Sequence, residues 1–328
     1  MSATSPLSGP LAEAALFAGR APSLHNSQPW HWYVGPGLLD LRLEPSRVLR
    51  SSDPHARLAV LSCGTALHHA RIHLAAAGWQ TSVVHLPDAE DPDLLARLLL
   101  DGPGPRDHDA IRLVRAATLR HTDRRDTPSA PVDMHRVRSV RKAVHAHGAD
   151  LTVLRPHQVY LIGEAAVLAH DVEQADPEWQ AEVAAWVGGS RPLGTGIPDS
   201  ALPSDPYLAI APARALRRAG SALITEARHH STVFAVLHTP GDGRLDWLVA
   251  GEALSAGWLT ATEHDLSILP LSIVTEVAGS RDRIRTLLDQ AADPQLVIRL
   301  AAAGAGVTHA TPRLAANAFV SRLPVPDS

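Results

Sequence analysis

Ala21-Pro22-Ser23-Leu24-His25-Asn26-Ser27-Gln28-Pro29-Trp30 separates a helical pattern over residues 11–20 from an alternating stretch that begins at His31. Proline neither continues a helix nor donates a ladder hydrogen bond, so the two prolines predict a rigid connection between the flanking elements. Between them stand Ser23, His25, Asn26, Ser27 and Gln28, five hydrogen-bonding side chains within six residues. That density suits the edge of a flat heteroaromatic ligand carrying several donors and acceptors. It equally suits a well-capped turn leading into a hairpin, and the local chemistry leaves both open.

Downstream, residues 31–34 and 38–43 flank Gly35-Pro36-Gly37 and predict a β-hairpin. A helix with one buried face is predicted over residues 58–77, where Cys63, Leu67, Ala70, Leu74 and Ala77 follow three-and-four spacing and Gly78 supplies the stop. Residues 245–259 repeat the pattern. Shifted by 187 residues, Arg57-Leu58 falls on Arg244-Leu245, Leu61 on Leu248, and Gly64-Thr-Ala-Leu67 on Gly251-Glu-Ala-Leu254, a faint internal duplication. Further strands are predicted over residues 81–86, 151–154, 159–162, 232–238 and 295–300, and a helix over 178–187. The hairpin argues against a purely parallel sheet, so the fold class is α+β and layered. Residues 188–212 contain four glycines and five prolines without a clear period and predict a mobile cover.

Composition bounds the function. A chain of 328 residues, 45% apolar, buries roughly three quarters of its unfolded surface and needs neither disulfide nor metal to fold. Cys63 is the only cysteine, which excludes an intrachain disulfide and a four-cysteine metal site and fits a reducing, cytoplasmic setting. No apolar run nears the roughly 18 residues of a membrane span, and no Lys or Arg precedes Arg20 to form a signal-peptide n-region, so neither membrane insertion nor export is expected. A net charge of −4 argues against general attraction to nucleic acid. The charge is uneven: residues 106–147 carry ten Lys/Arg against five Asp, which fits a small phosphorylated ligand or a solvated face.

Other constellations are weaker. His69 and His73 share a helix face at the i, i+4 spacing of a zinc pair, but no third ligand follows, so no metal is expected. Cys63 lies on an apolar helix face, where a thiol behaves as a small hydrophobe. There is no Walker A motif and no GxGxxG after a strand.

Pro22-Ser-Leu-His-Asn-Ser-Gln-Pro-Trp30 closely resembles the segment by which flavin-dependent nitroreductases hold their cofactor, in particular the fused Acg-like subfamily. The resemblance continues, in order, through Thr122-Asp-Arg124-Arg125, Gly194-Thr-Gly-Ile-Pro198, Trp247-Leu-Val-Ala-Gly251-Glu-Ala-Leu254, Leu269-Pro-Leu271-Ser272 and Pro294-Gln-Leu-Val-Ile-Arg299, spanning most of the chain. It implies a nitroreductase-like three-layer α-β-α sandwich made of two fused halves, residues 1–115 and 116–328, with a lid insertion at about 176–225. The chain would be a pseudo-dimer, monomeric or paired as a homodimer, with one complete FMN site built from both halves.

The resemblance also implies roles. Arg124 and Arg125 would clamp the flavin phosphate, where guanidinium forks give charge-assisted bidentate bonds. Ser23, His25, Asn26 and Gln28 would border the ring edge and ribityl hydroxyls. Pro270, Leu271 and Ser272 would lie beside the ring's reactive nitrogen, and Arg313 would be a second phosphate contact. No side chain is catalytic in its own right, because the flavin carries the chemistry. The implied activity is an FMN-dependent oxidoreductase passing electrons from a transient NAD(P)H to a small electrophilic acceptor; the alternative is a non-enzymatic protein that sequesters FMN.

Overall fold

The computed structural model describes residues 8–124, 130–188, 194–202, 231–288, 291–304 and 311–324. After α1 (Pro10–Ala18), the expected hairpin forms from β1 (Trp30–Gly35) and β2 (Leu38–Leu43), joined in one sheet by β3 (Trp79–His85) and β4 (Leu94–Pro103). The second sheet contains β5 (Asp150–Val153), β6 (Thr232–Thr239), β7 (Leu266–Leu271) and β8 (Asp293–Ala302) in the order β5-β6-β8-β7, all antiparallel. A short strand near the C-terminus, β9 (Val320–Arg322), returns to the first sheet and pairs parallel with β1, giving the order β3-β4-β2-β1-β9.

The two long apolar patterns become the central helices α2 (Arg57–Ala77) and α7 (Arg244–Glu263). α2 ends where expected, at Gly78 with φ +86, a left-handed conformation that glycine adopts at little cost. The helices cross backbone to backbone. A Cβ added to Gly64 would lie 2.9 Å from Gly251 Cα and run into Leu248 O, while one added to Gly251 would lie 2.8 Å from Gly64 Cα and run into Leu61 O. Gly64/Gly251 and Leu61/Leu248 are the pairs matched by the 187-residue shift, so each contact has its reciprocal, the signature of a two-fold axis. His68 Nδ1 and Ser255 Oγ, again 187 apart, meet at 2.8 Å along the same seam.

The helix starts obey the same relation. Arg57 donates to Gln295 O (2.6 Å) and Thr275 O (2.7 Å) in the second half, and Arg244 donates to Pro92 O (2.9 Å) in the first. The chain is thus a fused pair of related halves that meet through α2 and α7. Around the second sheet the layering is α-β-α. One face carries α4 (Met134–His145) and α7; the other carries α5 (Val159–Ala175) with the short α8 (Ile273–Glu276) and α9 (Ala278–Arg285). The first sheet packs Trp30, Trp32, Leu39 and Leu41 against α1 and α2.

One element differs from its sequence reading. Residues 159–162, expected as a strand, form the first turn of α5, because Val159 and Ile162 continue into Ala165, Ala166 and Ala169 as one buried helical face. The helix expected over 178–187 is α6 (Pro177–Trp186), capped by Asp176. Of the cover expected over 188–212, residues 189–193 and 203–212 lie outside the described residues.

Candidate functional site

The segment between the prolines forms a single 3-10 turn over Leu24–Asn26. His25 (φ 44), Asn26 (φ 58) and Gln28 (φ 51) all take left-handed backbone. For residues bearing a Cβ this costs on the order of 1 kcal/mol each, and such strain gathers where the surroundings fix a functional shape. α2 supplies much of that support. Ser62 Oγ accepts from Leu24 N (3.2 Å), Thr65 Oγ1 donates to Pro22 O (2.7 Å), and the Cys63 thiol, its pKa pushed up by burial, donates to Pro29 O (3.3 Å). Within the segment Ser23 Oγ accepts from Gln28 N at 2.9 Å.

Two remote segments close on this turn. Asn26 Nδ2 donates to Gly196 O (3.0 Å) and Pro312 O (2.9 Å), and its Oδ1 accepts from Arg313 (3.1 Å). Gln28 Nε2 donates to Gly194 O (2.6 Å), and its Oε1 accepts from Leu314 N (3.1 Å). Gly194, with φ +101, presses directly on the tail: a Cβ there would meet Arg313 C at 2.7 Å and Leu314 N at 2.8 Å.

The electrostatics of the site come from arginines. Arg120 and Arg313 share one acceptor, the carbonyl of Arg20, at 3.3 and 3.1 Å. Their Nε atoms are buried without a hydrogen-bond partner. The Arg120 guanidinium also stacks over Trp258, 4.8 Å from the ring centroid. Burial, then the neighbouring Arg313, lowers the Arg120 pKa to about 9, and burial, then Arg20, lowers Arg313 to about 10. Arg124 is lowered by burial and stands beside His25, whose pKa burial and then Arg124 depress to about 4. Fully buried His69 falls to about 3, through burial and then Arg120, and its Nε2 has no partner. Around residues 20–26 the protein therefore sets charged guanidiniums beside neutral imidazoles. Among the described residues neither Arg120, Arg124 nor Arg313 has a carboxylate partner.

The structure brings most of the sequence-derived site residues to this corner. Thr122 bridges Ile268, and Arg299 donates to Asp123 O (3.2 Å), which runs Thr122-Asp-Arg124 along β7 toward Pro270. Leu271 turns its side chain into the outer core with Val274 and Val297, and Ser272 precedes α8 with its hydroxyl bonded to Glu276. Arg125 lies outside the described residues. Sequence reasoning missed Arg120, although it stands four residues before Arg124, and missed Ser62 and Thr65, whose role depends on where α2 packs.

The position related by the 187-residue shift is built differently. Thr65 corresponds to Glu252, Trp258 to Arg71 and Ser272 to His85. Glu252 is buried, ion-paired with Arg71 and bonded to His85 Nε2 at 2.6 Å. Burial alone would raise its pKa, but the His85 bond and then Arg71 outweigh that and hold it low. This corner neutralises itself.

No protein-family profile matches the chain. It is 35% identical over 292 residues to "Putative NAD(P)H nitroreductase Rv3131" of Mycobacterium tuberculosis, covering 86% of this chain and 82% of that protein. It is 33% identical over 305 residues to "Putative NAD(P)H nitroreductase acg" of the same organism, covering 88% of each. The chain belongs to the nitroreductase family. Among solved structures, similarity extends to the FMN-dependent nitroreductase NfnB of Mycobacterium smegmatis in complex with NADPH, with a TM-score of 0.42 and 15% identity over 66% of this chain and 99% of that one.

Proposed function

We propose that this nitroreductase-family chain is an FMN-dependent oxidoreductase with one flavin site per chain, at the corner formed by residues 20–28, 120–124, 270–272 and 313. The observation that carries the proposal is the set of guanidiniums that have no carboxylate partner among the described residues. A partly buried charge without a counter-charge is costly, and a phosphate monoester offers the planar forks of Arg120, Arg124 and Arg313 the anionic partner they lack among the described residues. Arg125 joins them in this reading. In this reading Ser23, His25 and Pro270 border the ring and Leu271 and Ser272 border it by their backbone, while Asn26 and Gln28 stand in the same wall with their side-chain amides turned to protein partners.

Bound there, the flavin supplies two-electron transfer between a transient NAD(P)H and a small electrophilic acceptor such as a nitroaromatic or a quinone. The chain's own residues bind, orient and exclude water. His25, kept neutral beside Arg124, leaves the positive charge to the arginines. Residues 1–115 and 116–328 are the two proposed halves, with an insertion at about 176–225, in a cytoplasmic monomer or homodimer. Among the described residues no helix is long and apolar enough to cross a membrane.

The test is anaerobic reduction of the FMN-loaded chain followed by acceptor turnover. Bleaching of the flavin by NADPH or NADH, and its recovery on adding a nitroaromatic or quinone, is the expected result. Flavin that resists both nicotinamides yet is bleached promptly by dithionite would replace the enzyme with an FMN-sequestering protein.

A further inference from the structure

We infer that Asn26 and Gln28 are positioning residues: they tie the Gly194–Gly196 turn and the Pro312–Leu314 tail to the flavin segment and so set the pose of Arg313. The inventory of donors and acceptors carries this. A side-chain amide offers two N–H donors and one oxygen. Both Asn26 donors are used, on Gly196 O and Pro312 O, and its oxygen holds Arg313. Gln28 likewise spends its donors on Gly194 O and Asn26 O (3.3 Å) and its oxygen on Leu314 N. Both residues are buried, with Gln28 fully enclosed, and the bonds from Asn26 to Gly196 O and from Gln28 to Asn26 O lie wholly inside while the others are part-buried.

The arrangement joins three stretches that lie far apart in sequence. The Asn26–Gly196 bond spans 170 residues and the Asn26–Pro312 bond 286. The Gly194 backbone sits against Arg313 and Leu314 with no room for a Cβ, so the turn and the tail are locked to each other as well as to the segment. Arg313 is placed by this knot. Asn26 Oδ1, Thr311 Oγ1 (2.7 Å) and Arg20 O are among the neutral acceptors that fix its guanidinium, while its Nε stays unpartnered. Asn26 thereby acts on a bound anion through Arg313, and Gln28 acts by holding the tail that carries Arg313.

The expected consequence for flavin rests on the function proposed above; the expected consequence for backbone protection does not. Hydrogen exchange on the full chain without added flavin reads the second. Gln28→Ala should accelerate exchange of the Leu314 amide at least tenfold, whereas the isosteric Gln28→Glu, which keeps the acceptor for Leu314 N but loses the donor to Gly194 O, should retain most of that protection. Equilibrium binding reads the first. Asn26→Ala should weaken FMN at least tenfold and riboflavin, which lacks the phosphate, about threefold or less, leaving the absorption bands of bound flavin unshifted. Unchanged Leu314 exchange in Gln28→Ala would overturn the tie itself. Equal losses of FMN and riboflavin with shifted flavin bands would make Asn26 a direct ring contact instead. Accelerated Leu314 exchange in a chain that binds no flavin at all would sustain the tie and remove the proposed function.

Discussion

Two corners of this molecule occupy equivalent places about the α2–α7 axis and use charge in opposite ways. At one, Arg120, Arg124 and Arg313 have no carboxylate partner among the described residues, and Arg120 leans on Trp258. At the other, the equivalent of Thr65 is Glu252, which takes up Arg71 and His85. Duplication supplied two corners of the same shape. Side-chain chemistry then left one with guanidiniums that have no carboxylate among the described residues and gave the other its own counter-charge. In the proposed reading the backbone relation sets where a site can be, and the partnering of charges decides which of the two places binds a ligand.

The strongest blow to this comparison falls on the axis both corners share. Gly64→Val forces a side chain into the Leu248 carbonyl and the Gly251 backbone, and should cost on the order of 4 kcal/mol or prevent folding, read by chemical denaturation. A stable, native-like Gly64→Val protein would mean the halves are not held by that crossing.

Neutralising each corner should then give opposite signs. Glu252→Gln strands Arg71 and His85 beside a buried neutral amide; with Arg71 partly exposed, the cost to stability is about 2 kcal/mol. Arg120→Gln removes a guanidinium whose charge folding already disfavours, so the flavin-free melting temperature should hold or rise, while FMN affinity falls by about 2 kcal/mol, roughly thirtyfold. Equal destabilisation of the flavin-free protein by both variants would erase the distinction.

The smallest expected effect concerns pH. His69 sits fully buried near Arg120 with its pKa at about 3, below the ordinary 6.5, so the folded state resists a proton that the unfolded chain accepts. Its contribution is complete above about pH 6.5 and is lost as pH falls toward 3. Between pH 6.5 and 5.5 the wild type should lose about 1 kcal/mol more than His69→Gln, measured by denaturant midpoints at each pH. Identical pH slopes would show that His69 is not held neutral by its burial beside Arg120.

Much of this frame was legible in sequence where the chain punctuates itself. Gly78 and the three-and-four spacing marked α2, Gly35-Pro36-Gly37 marked the hairpin, and the 187-residue shift marked a faint duplication, whose two-fold relation only the α2–α7 contacts supply. Residues 159–162 misled because Val-Tyr-Leu-Ile reads as a strand until the alanines that follow extend its buried face over a full helix. β4 escaped notice because its leucines run together without the alternation of a strand that has one face in water.

The site was legible as a segment and illegible as a network. Five polar side chains between two prolines signalled a special turn, and the three left-handed residues there bear that out in backbone terms. Where Asn26 and Gln28 point was beyond reach, since their partners lie at Gly194, Gly196 and Pro312–Leu314. Local pattern carries no information about such distant carbonyls. Arg120 was overlooked for the reverse reason: it is close in sequence to Arg124, but its unpartnered Nε, its place over Trp258 and its place beside Arg313 on Arg20 O, all products of the fold, are what distinguish it from a surface arginine.

The contrast between the corners is tested most directly by titrating the purified, flavin-stripped chain with FMN and counting equivalents bound per chain from the flavin absorbance after removal of free ligand. The account predicts one, retained by the Glu252→Gln variant and weakened by Arg120→Gln. Two per chain, or none, would contradict it.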